Sequence, residues 1–181
     1  MSDLQIELGG GAVLRSLAAE HAEALFHLVD SNRVRLARWF PWVDDATAES
    51  QVAWLAASNH EEQPYAPAGI WVADELVGTC DLSIERLSDT GELGFWLDES
   101  AVGRGFVTRG CQALMRIAFE DAGLHRVQLR AGVENLRSRA VAKRLKMREE
   151  GLLRGAGKVG GGLYVDLVMY GLLADEWQVT R

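Results

Sequence analysis

The sequence predicts one domain of mixed α/β class (α+β type) over residues 1–181: a mostly antiparallel sheet of about seven strands with flanking helices. Three features predict it. Short runs alternate apolar and polar residues, as in HRVQLRAGVE (125–134), where Val127, Leu129, Ala131 and Val133 share one face and Arg126, Gln128 and Arg130 the other. A single helical repeat, Val107, Cys111, Leu114, Ala118 and Ala122, lies between two strand-like runs. The other strands follow one another across short turns, as antiparallel neighbours do.

In chain order, QIELGGGAVLRSL (5–17) reads as a strand pair around a glycine turn, or as one strand with a broken entry. AAEHAEALFHLVDSN (18–32) puts Ala22, Leu25, Phe26, Leu28 and Val29 on one helical side. RVRLARWFPWVDD (33–45) is a short helix ended by Pro41. TAESQVAWLAASNHEE (47–62) is a further helix, with Thr47 as N-cap and Val52 and Leu55 on its buried side. QPYAPAG (63–69) is loop. GIWVAD and LVGTCDLSI form a hairpin joined at Asp74-Glu75, and GELGFWLD (91–98) is the next strand. The helix of residues 106–122 stops at Gly123. Ser138 begins a short helix through Met147, and a strand (EEGLLR), a glycine-rich turn (GAGKVGGG) and a last strand (LYVDLVMYGLL) complete the chain.

Charge and composition exclude several functions. A formal net charge of -7 argues against nucleic acid as the main partner, since that binding rests on neutralising many phosphates. The two cysteines, Cys80 and Cys111, form no CxxC pair, and with four scattered histidines they offer no metal-ligand spacing, so no metal is expected and both read as buried thiols. MSDLQIELGG lacks the basic and apolar regions of a leader, and no run of 18 apolar residues follows, so a cytoplasmic protein without membrane contact is expected.

One short stretch stands out. GRGFVTRG (103–110) sets two glycines and two arginines between a strand and a helix. The start of a helix presents unpaired N–H groups and the positive end of its dipole, which suit an anion. The stretch is neither G-x-G-x-x-G, since Thr108 stands at the third glycine, nor a P-loop, since no Gly-Lys-Ser/Thr follows. Taken alone it fits a structural connection better than a phosphate seat.

The wider context changes that reading. LDESAVGRGFV resembles motif A of the GNAT superfamily of acyl-CoA-dependent N-acetyltransferases, written Q/R-x-x-G-x-G/A and occupied here by VGRGFV (102–107). Val102 and Val107 depart from that motif. NRVRLARWFPWVD, ELGFWLDE, HRVQLRAGVENLRSRAVAKRLKM, EEGLLR and YVDLVMYGLLADEW, in that order, are similar to the RimJ/RimL-like branch, known for acetylating N-terminal amines of ribosomal proteins. The likeness covers nearly the whole chain.

The resemblance implies the GNAT fold, acetyl-CoA as co-substrate and a set of site residues. The pantetheine arm would lie along GELGFWLD against the backbone of Phe95, Trp96 and Leu97, with the Phe95 N–H meeting the acetyl oxygen. The pyrophosphate would meet the amides of Gly103, Arg104, Gly105, Phe106, Val107 and Thr108, with the Arg104 side chain as supplementary charge. Asn135 and Ser138 match the family's N-x-x-S, where the hydroxyl serves the CoA sulfur; a helix N-cap is the structural reading of Ser138. Glu92 is the candidate base, acting through water, with an exposed strand glutamate as the plain alternative. Trp39, Trp42 and Tyr164 would line the acceptor pocket. A homodimer is the family expectation.

The acceptor implied is a protein N-terminal α-amine, with a small-molecule amine as alternative. A non-catalytic acyl-CoA-binding module of the same fold stays open. A dinucleotide oxidoreductase is disfavoured by the broken glycine fingerprint and the early antiparallel strands.

Overall fold

The computed structural model describes residues 4–57 and 67–179. Eight strands form one sheet: β1 (Gln5–Gly9), β2 (Ala12–Ser16), β3 (Ala68–Val72), β4 (Glu75–Glu85), β5 (Thr90–Leu97), β6 (Arg126–Gly132), β7 (Arg148–Lys158) and β8 (Tyr164–Leu173). Their spatial order is β1-β2-β3-β4-β5-β6-β8-β7. Every neighbouring pair is antiparallel except β5 and β6. That exception follows from connectivity: β5 reaches β6 through helix α4 (Phe106–Arg116), and a crossover of this kind makes parallel neighbours. The remaining helices are α1 (Ala22–Ser31), α2 (Arg33–Leu36), α3 (Ala48–Ala57), α5 (Leu136–Arg144) and α6 (Ala174–Val179).

The first alternative resolves in favour of a strand pair, with Gly9, Gly10 and Gly11 at positive φ in the turn. The β3–β4 hairpin turns one residue earlier than expected. Ala73 and Asp74 both adopt positive φ, as a two-residue type I′ turn requires, and Arg15 holds Asp74 at 3.0 Å. α2 ends at Leu36, and Pro41 opens a separate short 3-10 turn, Pro41–Val43, because proline suits a first helical position.

Thr47 does cap α3. Its hydroxyl accepts the Ser50 N–H at 3.1 Å, while the Ser50 hydroxyl accepts the Thr47 N–H at 2.9 Å. Leu55 is buried, but Val52 is 45% exposed, and Gln51 takes the inward place four residues before Leu55. Residues 58–62 of the expected helix and 63–66 of the loop lie outside the described residues.

The long central helix is α-helical only to Arg116; Ile117–Asp121 widen into a π turn before Gly123. GAGK does not turn but continues β7 to Lys158, past bulges between Glu149 and Gly151 and between Leu153 and Gly157. The chain reverses at Gly160–Gly162 instead. α6 has no counterpart in the sequence reading.

Helices α4 and α5 pack on one face of the sheet. Phe106, Cys111, Leu114, Met115, Val141 and Ala142 bury there against Leu14, Ile70, Cys80, Leu82 and Leu93. Each large side chain so buried contributes ~1.5–3 kcal/mol. Both thiols are buried; the hydrogen bond with Cys111 and the burial itself raise the Cys80 thiol well above its ordinary range. α1, α2 and α3 cover the other face through Leu25, Val29, Leu36 and Leu55, meeting Leu76 and Trp96. Among the described residues this second cluster reaches no farther across the sheet than Trp96 on β5. No helix among them is long and apolar enough to cross a membrane.

Candidate active site

The two parallel strands separate. β5 and β6 pair only at Thr90–Arg126, Gly91–Val127 and Glu92–Gln128. Beyond that, β5 stays on β4 as far as Leu97 and β6 stays on β8 as far as Gly132. A gap therefore opens between them towards their carboxyl ends, where α4 and α5 begin. In open α/β sheets that is where ligands bind.

The ladder shows which main-chain groups face the gap. The Asp98 N–H donates to the Val77 carbonyl at 2.7 Å, and Trp96 O lies 2.4 Å from where a β-carbon on Gly78 would stand, so both turn towards β4. With a two-residue alternation, Leu93, Phe95 and Leu97 turn their N–H and C=O groups to the gap. Of the three residues singled out on this strand, Phe95 and Leu97 thus address the gap. Trp96 places its main chain on β4 and its ring among the residues of α1 to α3.

The glycine turn stands at the end of β5. Gly103 and Gly105 have φ of 85° and 76°, and Gly105 is the left-handed residue from which α4 starts. Among the described residues, none of the N–H groups of Gly103 to Thr108 donates to a backbone acceptor; the first such bond of α4 is Arg109 N–H to the Gly105 carbonyl at 3.1 Å. Arg104 is exposed and its guanidinium lies 4.6 Å from the centre of the Phe106 ring. Arg109 is a brace: its Nε donates to the Leu8 carbonyl and its Nη2 to the Arg104 carbonyl at 3.1 Å, tying the turn to the end of β1.

A partly buried network fixes where that turn begins. Asn32 Nδ2 donates to Asp98 Oδ2 at 2.7 Å, Asn32 Oδ1 accepts from Arg35 Nη2 at 2.6 Å, and Arg35 also donates to the Leu97 carbonyl. Asp98 in turn accepts the Ser100 N–H at 2.9 Å. Burial pushes the Asp98 carboxyl up, but hydrogen bonds from Ser100 and Asn32 and the Arg35 charge outweigh it and hold it below its ordinary value. Nothing in the spacing of Asn32, Arg35 and Asp98 announced this contact.

Across the gap, Asn135 caps α5: its Oδ1 accepts the Ser138 N–H at 3.2 Å. Ser138 is therefore the third helical residue and not the cap, because the shorter path from β6 leaves Asn135 at the entry. The half-buried Ser138 hydroxyl has no hydrogen-bond partner among the described residues.

On the face away from α4, Glu92 uses both carboxylate oxygens: Oε1 accepts from Arg130 at 2.7 Å and Oε2 from Gln128 at 3.0 Å. Asp81 of β4 stands on the same face opposite Gly94, and its Oδ2 is 2.5 Å from where a β-carbon on Gly94 would lie. Burial, and secondly the Glu92 charge, push the Asp81 carboxyl up to about 6. Its signal in the sequence is a lone aspartate in an apolar strand facing a glycine in the next.

Trp39 lies at the mouth of the gap, its ring 3.1 Å from where a β-carbon on Gly132 would stand. The β7–β8 turn docks beside it: Gly160 N–H donates to the Ala37 carbonyl at 2.8 Å and Gly161 N–H to Asp44 Oδ2 at 2.7 Å. Trp42, 41% exposed, meets Phe40 in a tilted ring pair, and Tyr164 is 71% exposed at the start of β8.

Comparison with known proteins places this architecture. A family model described as the acetyltransferase (GNAT) domain matches residues 12–148. The chain is 32% identical over 171 residues, 91% of its length and 92% of the other, to YdaF of Bacillus subtilis (strain 168), which carries a provisional ribosomal N-acetyltransferase name. It is 28% identical over 175 residues, 94% and 97% of the two lengths, to the ribosomal-protein-serine acetyltransferase of Escherichia coli (strain K12). A solved structure of RimL, the ribosomal L7/L12 alpha-N-protein acetyltransferase, in complex with coenzyme A superposes with a TM-score of 0.87 at 27% identity, covering 96% of this chain and 99% of that one.

Proposed function

The chain belongs to the GNAT acetyltransferase family, and from that premise we propose that it transfers the acetyl group of acetyl-CoA to the N-terminal α-amine of a protein, a ribosomal protein in the first instance. The observation that carries the reading is the gap between β5 and β6, with the unpaired N–H groups of Gly103 to Thr108 at its end. The names of the two relatives support the acceptor class.

In this reading the pantetheine arm lies in the gap as an added strand, and the Phe95 N–H stabilises the oxyanion that develops on the acetyl carbonyl. The diphosphate takes the Gly103–Thr108 amides, helped by the α4 dipole. Ser138 gives its proton to the departing sulfur. The amine arrives from the face away from α4, past Trp39, with Trp42 and Tyr164 farther out on the acceptor's path. The amine's proton leaves by the acidic side of that face, where Glu92 lies. Holding both substrates in one cleft lowers the barrier by orientation. The reading extends to a cytoplasmic homodimer, whose mass sedimentation velocity measures.

The test is thiol release from acetyl-CoA with a panel of N-terminal peptides, polyamines and aminoglycosides. Turnover with peptides that is abolished by blocking their α-amine supports the proposal. Turnover confined to small amines reassigns the acceptor, and binding without any thiol release supports the non-catalytic module.

A further inference from the structure

We propose that Asp81 is the catalytic group that takes the proton from the acceptor ammonium, and that Glu92 acts on the reaction through Asp81. The proposal rests on the N-acetyltransferase reading above and names its base.

Geometry favours Asp81. Its carboxylate leans from β4 across Gly94, the one position of that face of β5 with no side chain in the way, next to Phe95 whose N–H faces the gap. It is half-buried, and among the described residues no donor holds it. Glu92 has the right strand but the wrong company, since Arg130 and Gln128 already donate to its two oxygens.

The charged surroundings are few. Glu92 faces Asp81 from β5, with Arg130 and Gln128 of β6 engaged by Glu92. Thr79 and Ser83 are its neighbours along β4 on the same face. α1 turns Glu23, His27 and Asp30 to solvent. Arg35 of α2 is engaged by Asn32 and the Leu97 carbonyl. Among the described residues, burial and the Glu92 charge therefore act on Asp81 without a local cation to offset them, and they push its carboxyl up to about 6. A base with that value is ionised at neutral pH and is still close to an α-amine at about 7.7–8.0.

The protons balance. Asp81 accepts one proton from the ammonium. The neutral nitrogen then attacks the thioester carbonyl carbon, the C–N bond forms and the C–S bond breaks. The second proton leaves nitrogen and reaches the sulfur through Ser138, and Asp81 returns its proton to water.

The experiment compares wild type, Asp81→Asn, Asp81→Glu and Glu92→Gln, using the full chain, acetyl-CoA affinity by calorimetry and thiol release against pH with an N-terminal peptide. For Asp81→Asn the expected result is acetyl-CoA affinity within twofold, kcat lower by about 100-fold near pH 7 and loss of the acid limb near pH 6. Asp81→Glu should recover part of kcat and a limb, and Glu92→Gln should move the limb to lower pH. The assignment is overturned if Asp81→Asn keeps its kcat and limb while Glu92→Gln loses both. It is equally overturned if both Asp81 variants lose acetyl-CoA binding. A wild-type chain that binds acetyl-CoA but acetylates no amine overturns the enzymatic reading and this assignment with it.

Discussion

Asn32 and Asp98 meet at 2.7 Å across 66 residues of chain. The contact joins the end of α1 to the end of β5, just where the chain turns towards Gly103. Asn32→Ala removes the amide that Asp98 and Arg35 share, leaving both under-satisfied in a half-buried place. The expected cost is about 1–3 kcal/mol in chemical denaturation. Asp98 titrates below its ordinary 3.8, so its contribution is full above that value and is lost as pH falls below it. The stability gap between wild type and Asp98→Asn should close in acid over that range.

Asp81 has the opposite sign. Its folded value of about 6 lies above the ordinary 3.8, so its ionisation opposes folding fully above pH 6 and not at all below 3.8. Asp81→Asn should be more stable than wild type at pH 7–8, by on the order of 1–2 kcal/mol after allowing for the group's contact with solvent. Thermal melts at pH 8 and pH 4 test this. A variant that gains stability while losing turnover marks a functional carboxylate.

The glycine turn separates backbone from side-chain binding. A methyl at Gly105 would enter a positive-φ residue and stand 2.7 Å from Arg109 Nη1. Gly105→Ala is expected to weaken acetyl-CoA binding by more than tenfold. Arg104→Ala leaves the amides in place and removes one exposed charge, so calorimetry should show a loss of less than tenfold that shrinks with added salt.

Ser138 and Asn135 separate chemistry from capping. Asn135→Ala removes the cap of α5 and should cost ~1 kcal/mol of stability. Ser138→Ala removes a hydroxyl that caps nothing, so stability should change by less than about 0.5 kcal/mol. Its kcat should fall while acetyl-CoA affinity holds.

Trp39 over Gly132 governs the mouth of the gap. A β-carbon on Gly132 would stand 3.1 Å from the indole, so Gly132→Ala displaces the ring by a few tenths of an ångström. The expected outcome is a raised KM for the peptide acceptor with unchanged acetyl-CoA affinity, read from steady-state kinetics in both substrates.

Much of the fold was legible because it is local. Val127, Leu129 and Ala131 alternate and are buried; Cys111, Leu114 and Ala118 repeat at helical steps and are buried. Thr47 and Ser50 announced a cap three residues apart. Errors fell where local signals compete. Asn135 and Ser138 are both good caps, and only the exit of β6 chooses between them. Val52 and Gln51 differ by one helical step, which no composition decides. GAGK looks like a turn, yet β8 supplies it with a partner strand.

By itself, then, the sequence determined the alternation of strands and helices, the strand–turn–helix around GRGFVTRG, and the family resemblance that implied acetyl-CoA. These depend on periodicity, glycine placement and neighbours within a few residues. Tertiary structure decided what depends on distant segments meeting: the parting of β5 from β6, the bond from Asn32 to Asp98, and the surroundings of two acidic residues. Glu92 and Asp81 are both carboxylates on adjacent strands. Arg130 and Gln128 reach the first from β6, while Gly94 leaves room for the second, which no donor among the described residues holds. A carboxylate's chemistry is set by the charges and donors around it, and those come from strands far apart in the chain.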